Sequence, residues 1–206
     1  MFNNLKIVHR LWLISALAGT LFIVSVVVGF MGLSSSERSL KSVFEDRAVP
    51  MHDLSLVGTL IQENAGHILK AFQHDPNGPL LAVHDHPLEM HLEAMAKNKE
   101  EIDAMWAKYM ATYLTDEEKV LAADFTEKRN AWVAKLIEAR DSVKSGNYSA
   151  AAMASFLKAG REEGAAAQQA LDKLMTYQET VARQEYEAAK ARAKNTLWLF
   201  GLLVVV

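Results

Sequence analysis

Uncharged, mostly apolar residues run from Leu11 to Leu33, directly after Lys6 and Arg10. A helix of about 20 apolar residues spans the hydrocarbon core of a bilayer, so this run predicts a transmembrane helix. It is longer than the roughly 7–15 apolar residues of a cleaved signal peptide, and we therefore expect an uncleaved anchor. A second apolar run occupies residues 196–206, where the sequence ends, and it predicts the truncated start of another transmembrane helix.

The charged residues before the first run indicate its orientation. Lys and Arg collect on the cytoplasmic side of membrane helices, which places residues 1–10 in the cytoplasm. Residues 11–33 then form the first transmembrane helix, residues 34–195 an extracytoplasmic domain, and residues 196–206 the start of the second transmembrane helix. We therefore predict a multi-pass protein of the inner membrane whose larger domain lies in the periplasm.

The segment between the two apolar runs has the periodicity of long helices. In its first part a stripe recurs at alternating spacings of three and four residues, which is typical of helices that pack lengthwise. The stripe consists of Val43, Arg47, Pro50, Leu54, Val57, Ile61, Asn64, Ile68 and Ala71. Acidic residues within six positions of Arg47 are its expected partners. We expect this first helix to end near His74, because residues 75–79 contain two prolines and a glycine.

Three further helices follow. The second begins near Pro87, and Thr115 with Glu118 forms a capping box that starts the third. Gly146 ends the third helix and Ser149 caps the fourth, which contains no proline and is expected to run without interruption into residues 196–206. Four long helices with short connections predict an all-α fold, an antiparallel up-down-up-down four-helix bundle flanked by two transmembrane helices.

Composition excludes several classes of function. The chain has no cysteine, so disulfides, thiolate metal sites and cysteine nucleophiles are absent. A net charge of −3 gives no basic face for nucleic acid. The Glu-x-x-His pairs of di-iron bundles, nucleophile elbows and phosphate-binding loops are also missing. We therefore predict that the protein is not an enzyme.

Histidines concentrate in one part of the chain, since five of the seven lie between positions 67 and 91. The first two helices form a hairpin, which should bring these residues together at one end of the bundle. Imidazole is a preferred ligand of Zn²⁺, Ni²⁺ and Cu²⁺. We assign a candidate site for a divalent metal or haem to His74, His84, His86 and His91. A solvated polar loop is the favoured interpretation, so no cofactor is predicted, and a pH-responsive cluster is a further alternative.

The chain resembles the N-terminal half of bacterial methyl-accepting chemotaxis receptors that have a four-helix-bundle sensor domain. The features that carry this resemblance are the Lys6/Arg10 start, the first apolar run, Asp46–Met51, the turn at 146–148 and the run into Trp198. Such receptors are homodimers that bind small molecules, or periplasmic binding proteins, near the outer end of the bundle. The family continues through a HAMP linker to a cytoplasmic signalling module, which lies beyond this sequence.

The resemblance also indicates ligand-binding positions. Members that sense amino acids carry arginines where this chain has Gln62, His67 and Ala71, which disfavours an aspartate-like or serine-like ligand. An organic or aromatic acid, a metal or a partner protein remain open. By position, the expected ligand-binding residues are Gln62, Asn64, His67, Lys70, Phe156 and Gly160.

The function predicted from the sequence is thus a transmembrane chemotaxis receptor that passes its signal along the fourth helix to the second transmembrane helix. One alternative is the input domain of a sensor histidine kinase or of a cyclic-dinucleotide enzyme. Another is a membrane-anchored periplasmic protein that binds a metal or haem.

Overall fold

The structure, a computed structural model, describes the backbone of residues 6–205 and the side chains of residues 6–202, and this part contains helices and no strand. Its α-helices are α1 (Ile7–Lys41), α2 (Val49–Ala71), α3 (Glu89–Met110), α4 (Asp116–Lys144), α5 (Ala150–Ala159) and α6 (Ala165–Val205). Two π-helical segments, Ser42–Ala48 and Gly160–Gly164, join α1 to α2 and α5 to α6. The predicted all-α fold of four long helices is therefore confirmed.

The first long helix is continuous from Ile7 to His74. By length and composition it is the one helix, among the described residues, that is apolar enough to cross a membrane, with a mean hydropathy of 2.4 in its most apolar window. No residue of that window is buried within the monomer. An apolar surface of this extent is expected where lipid, rather than water, surrounds a helix.

The chain divides into two compact units, and each is described by itself. The terminal unit comprises residues 1–45 and 181–206. In it α1 and α6 approach closely at small residues: a Cβ atom added to Gly32 would lie 2.7 Å from Thr196, and one added to Gly29 would lie 2.8 Å from Phe200. Contacts of this kind are typical of helices that associate in membranes, where small residues let the backbones come together.

The bundle unit comprises residues 46–180. Every member of the predicted stripe from Arg47 onward is buried, as are Asp53 and Gly58 beside it. The core continues through the facing helices and is rich in aromatic side chains. Trp106 packs edge-on against Phe125 with ring centroids 4.9 Å apart, and Trp132 stacks on Phe156 at 5.6 Å.

The predicted helix boundaries are confirmed where the sequence carries a capping signal. The Thr115 side chain accepts the backbone N–H of Glu118 while the Glu118 carboxylate accepts the backbone N–H of Thr115, which completes the capping box at the start of α4. Ser149 caps α5 by accepting the N–H of Ala152. Gly146 adopts a φ of 78°, the left-handed conformation that ends a helix.

The fourth long helix departs from the sequence expectation at Gly160–Gly164. A regular α-helix was expected throughout, but the backbone widens there into a π-helical turn. The Trp132 ring lies against this turn, and a Cβ atom added to Gly164 would lie 3.5 Å from it. Such turns are rare in helices and are often found at functional sites.

We expect Gly164→Ala to stabilise the bundle unit by about 0.5–1 kcal/mol, because alanine restricts the unfolded chain and its Cβ would make an ordinary van der Waals contact with Trp132. Gly146→Ala should have the opposite effect, since its φ of 78° is unfavourable for any residue with a Cβ. Urea unfolding of the purified chain in detergent, followed by tryptophan fluorescence, measures both. A loss of stability in the Gly164→Ala variant would show that the π-turn itself requires glycine.

A polar network crosses the interior of the bundle unit. The Arg47 guanidinium donates to Glu118 Oε1 at 3.1 Å and to Gln178 Oε1 at 3.2 Å. Gln178 also donates to the Tyr109 hydroxyl at 3.2 Å and to the Glu118 carboxylate. Of the acidic residues near Arg47 in the sequence, Asp53 pairs with Lys108 at 2.7 Å. The network thus links the π-helical segment that precedes α2, both ends of the α3–α4 connection and α6.

Candidate functional site

The candidate site lies in the bundle unit, at the connection between α2 and α3. His74 is the last residue of the 3₁₀ turn, Phe72–His74, that extends α2. His84 and His86 lie in the irregular segment that follows a short 3₁₀ turn at Leu81–Val83, and His91 lies in the first turn of α3. Because α2 and α3 pack side by side, the end of one helix and the start of the next meet at this place.

Four imidazoles converge there. One ring nitrogen each from His74, His84, His86 and His91 lies within 4.8 Å of all the others. The closest ring centroids are those of His74 and His84, 4.1 Å apart. His74 and His91 are buried, whereas His84 and His86 are partly accessible. The structure therefore brings together all four residues that the sequence had suggested as metal ligands.

Three of the four rings have a hydrogen-bonding partner on their outer side. His84 Nε2 lies 3.3 Å from Gln73 Oε1, and His86 Nδ1 lies 2.8 Å from Asp85 Oδ1. His91 Nδ1 lies 3.1 Å from His67 Nδ1. An oxygen acceptor is matched by a proton on the ring nitrogen that faces it. The second nitrogen of His86, Nε2, lies 3.0 Å from His91 Nε2.

The fourth ring has an unpaired nitrogen. The His74 side chain is only 6% exposed, and its buried Nε2 has no hydrogen-bond partner. Leaving a buried polar atom unpaired costs about 1–3 kcal/mol, so native structures contain few of them. Such an atom among three further imidazoles is a feature that binding of an ion would explain.

The electrostatics of the cluster favour uncharged rings. Burial, reinforced by the charges that the neighbouring histidines and Lys70 would carry, lowers the pKa of His91 from 6.5 to about 4. Burial also lowers the pKa of His74, and the nearby His84 and His86 add to that effect. Both shifts favour the neutral form of these two rings, in which one nitrogen of each ring retains its lone pair.

The six residues expected to bind a small molecule do not converge on one place. Gln62, Phe156 and Gly160 line a groove of about 420 Å³ between α2, α4 and the α5–α6 region. Asn64 is buried and lines a separate cavity of about 270 Å³ between α2, α3 and α4. The cause is helical geometry, since residues two positions apart point to nearly opposite sides.

The other two expected ligand residues lie beside the histidines. His67 contacts His91, as described above, and Lys70 is exposed one turn further along α2. Sequence reasoning did not single out Gln73, although it is adjacent in sequence to His74. Adjacency is a weak signal, because it does not show which ring nitrogen a neighbour faces.

The bundle unit thus consists of long helices with four histidines gathered at the connection between α2 and α3, and its first helix continues into the apolar helix. The chain belongs to the family of four helix bundle sensory modules for signal transduction, whose family model matches residues 4–193. No curated protein matches the chain, and no solved structure does so. The protein is therefore a sensory module for signal transduction.

Proposed function

We propose that this chain is the sensing half of a membrane-bound chemotaxis receptor, with the bundle unit outside the cytoplasm. The observation that carries the proposal is the family match over residues 4–193, since this range includes the apolar helix as well as the bundle. In this arrangement residues 11–33 and the apolar end of α6 are the two membrane-spanning segments of an inner-membrane protein.

The proposed receptor works as a homodimer that binds a small ligand or a ligand-loaded periplasmic protein. Ligand binding favours one of two arrangements of the helices, to the extent that the two arrangements differ in affinity for the ligand. Helix α6 is continuous from Ala165 to Val205, and a shift of about 1–2 Å along it is within the range known for signalling helices. The signal then reaches a cytoplasmic module that follows this segment in the complete receptor.

A second candidate function shares the same input and differs only in the output. The chain would then serve as the sensor of a histidine kinase or of a cyclic-dinucleotide enzyme. The family description names signal transduction in general and is compatible with either output. The residues that follow Val206 in the gene distinguish the candidates.

Labelling of single cysteines tests the proposed topology, and the absence of native cysteine makes the experiment direct. Lys144, which is exposed at the end of α4, lies outside the cytoplasm in this proposal, whereas Lys6 lies inside. In spheroplasts, a membrane-impermeant maleimide should label the Lys144→Cys variant at once. It should label Lys6→Cys only after the membrane is permeabilised.

The two variants control for each other, because both positions are exposed lysines and differ only in location. If the Lys144→Cys variant were labelled only after the membrane is permeabilised, the receptor topology would be contradicted. Labelling of both variants in intact spheroplasts would instead show that the chain does not cross the membrane at residues 11–33.

A further inference from the structure

We propose that the four imidazoles of His74, His84, His86 and His91 bind one divalent transition-metal ion, and that this ion is the signal that the module senses. Binding of the ion is a property of the bundle unit alone. Its role as the signal rests on the proposed function. The two statements are therefore tested separately.

The geometry of the cluster needs only a small adjustment to hold an ion. Bonds of about 2.0–2.1 Å to a tetrahedral ion place neighbouring ligand nitrogens about 3.4 Å apart. His86 Nε2 and His91 Nε2 already lie 3.0 Å from each other. No two of the four ligand nitrogens are more than 4.8 Å apart, so binding one ion requires any pair to approach by at most about 1.4 Å.

The hydrogen-bond partners of the rings outside the cluster are of the kind that metal-binding histidines have. Ring nitrogens that bind metals leave the second nitrogen to donate to a carboxylate, a carbonyl oxygen or another acceptor, which fixes the tautomer. Asp85 and Gln73 supply such acceptors to His86 and His84. His91 directs Nε2 towards His86 and Nδ1 towards His67, so His67 serves as the outer acceptor of the His91 ring.

The ligand set identifies the class of ion. Four imidazoles suit borderline ions such as Zn²⁺, Cu²⁺ and Ni²⁺, whereas Ca²⁺ and Mg²⁺ require oxygen ligands. Four protein ligands around one point favour tetrahedral coordination, which is the usual geometry of Zn²⁺. Haem fits less well, because its macrocycle would have to enter between rings whose centroids are 4.1–6.1 Å apart.

The position of the cluster explains how an ion could act as a signal. Its ligands come from the end of the first long helix, from the irregular connection and from the start of α3. An ion bonded to all four would fix this connection against both helices. Metal binding and ordering of protein structure are then coupled, since the ion bonds to the ordered arrangement only.

Zn²⁺ titration of the full chain tests the binding. The chain, purified in detergent without a polyhistidine tag and stripped with a chelator, should bind one Zn²⁺ per chain in isothermal titration calorimetry. Co²⁺ should give the intense visible absorption of tetrahedral coordination. His86→Gln should weaken Zn²⁺ binding by more than about 100-fold, because loss of an outer partner alone reduces affinity by about 10–100-fold.

Matched variants separate ligands from outer partners. His52→Gln changes an exposed histidine of α2 outside the cluster and should leave the affinity unchanged. His67→Ala should weaken Zn²⁺ binding by about 10–100-fold while the stoichiometry and the Co²⁺ spectrum persist. Because His86 is partly exposed and lies in the connection, His86→Gln should remain folded, which circular dichroism checks. Absence of a saturable Zn²⁺ site, or equal affinity in the His52 and His86 variants, would overturn the proposal.

A fusion tests the ion as a signal. The chain joined to the cytoplasmic part of a chemotaxis receptor should change the activity of the associated kinase when Zn²⁺ is added, and His86→Gln should abolish that response. Binding without a response would overturn the role of the ion as the signal and leave the metal site standing. A response to Zn²⁺ that survives in His86→Gln would place the sensing site elsewhere and leave the receptor function standing.

Discussion

Arg47→Met should destabilise the bundle unit by about 3–5 kcal/mol, as expected when one partner of a buried ion pair is removed. Arg47 and Glu118 are 4% and 0% exposed, and their side chains lie 3.1 Å apart. Without the guanidinium, the buried Glu118 carboxylate loses the cation that pairs with it. Urea unfolding of the chain in detergent, monitored by circular dichroism, measures the loss.

The reason for the effect can be isolated by a second substitution. Glu118→Gln removes the charge while its amide oxygen can still accept the Thr115 N–H, so the double variant Arg47→Met/Glu118→Gln should recover much of the stability. Lys119→Met removes an exposed lysine whose partner is the exposed Asp116, and it should leave the urea concentration at the unfolding midpoint unchanged. A double variant as unstable as Arg47→Met alone would show that Arg47 acts through packing rather than through its charge.

The bundle unit should also lose stability in alkali through Tyr109. Burial, with the negative charge of Glu118 adding to it, raises the pKa of Tyr109 from 10.0 to about 12. The unfolded chain therefore ionises this phenol first, so its contribution is complete below pH 10 and is lost between pH 10 and pH 12. The full loss is about 3 kcal/mol, of which about 2 kcal/mol should be lost by pH 11.5.

Comparison of Tyr109→Phe with the unsubstituted chain measures this contribution. At pH 9 the variant should be less stable by about 1 kcal/mol, because the hydrogen bond from Gln178 is lost. Between pH 9 and pH 11.5 it should lose about 2 kcal/mol less than the unsubstituted chain. Tyr113→Phe, at a residue that is 77% exposed, is the matched control and should follow the unsubstituted chain. If the free energy of unfolding fell equally with pH in all three proteins, the alkaline loss of stability would not come from Tyr109.

The two predictions concern one network, and this bears on signalling. The network joins Arg47 near the start of the bundle unit to Gln178 near its end. It therefore couples the first and the last long helix, which in the proposed receptor both continue towards the membrane. A buried polar network of this kind has strict geometric requirements, so it favours discrete arrangements of the helices over continuous deformation.

The sequence determined the features that depend on local periodicity and composition. The stripe from Arg47 to Ala71, the capping box at Thr115 and the turn at Gly146 were all read correctly, because each reflects interactions within a few residues along the chain. The apolar composition of residues 11–33 likewise indicates a membrane helix without any tertiary information. The clustering of histidines was foreseen because a helical hairpin brings the two sides of its connection together.

Only the tertiary structure decided which groups meet across the bundle. Arg47 bonds to Glu118 and Gln178, which are 71 and 131 positions away, and no spacing rule relates them. It also decided which groups the ring nitrogens of His84, His86 and His91 contact, and it separated Gln62 from Asn64 into two different cavities. Hydrogen bonds and metal bonds depend on distances below about 3.5 Å and on angle, and these are fixed by how the helices pack rather than by the pattern within any one of them.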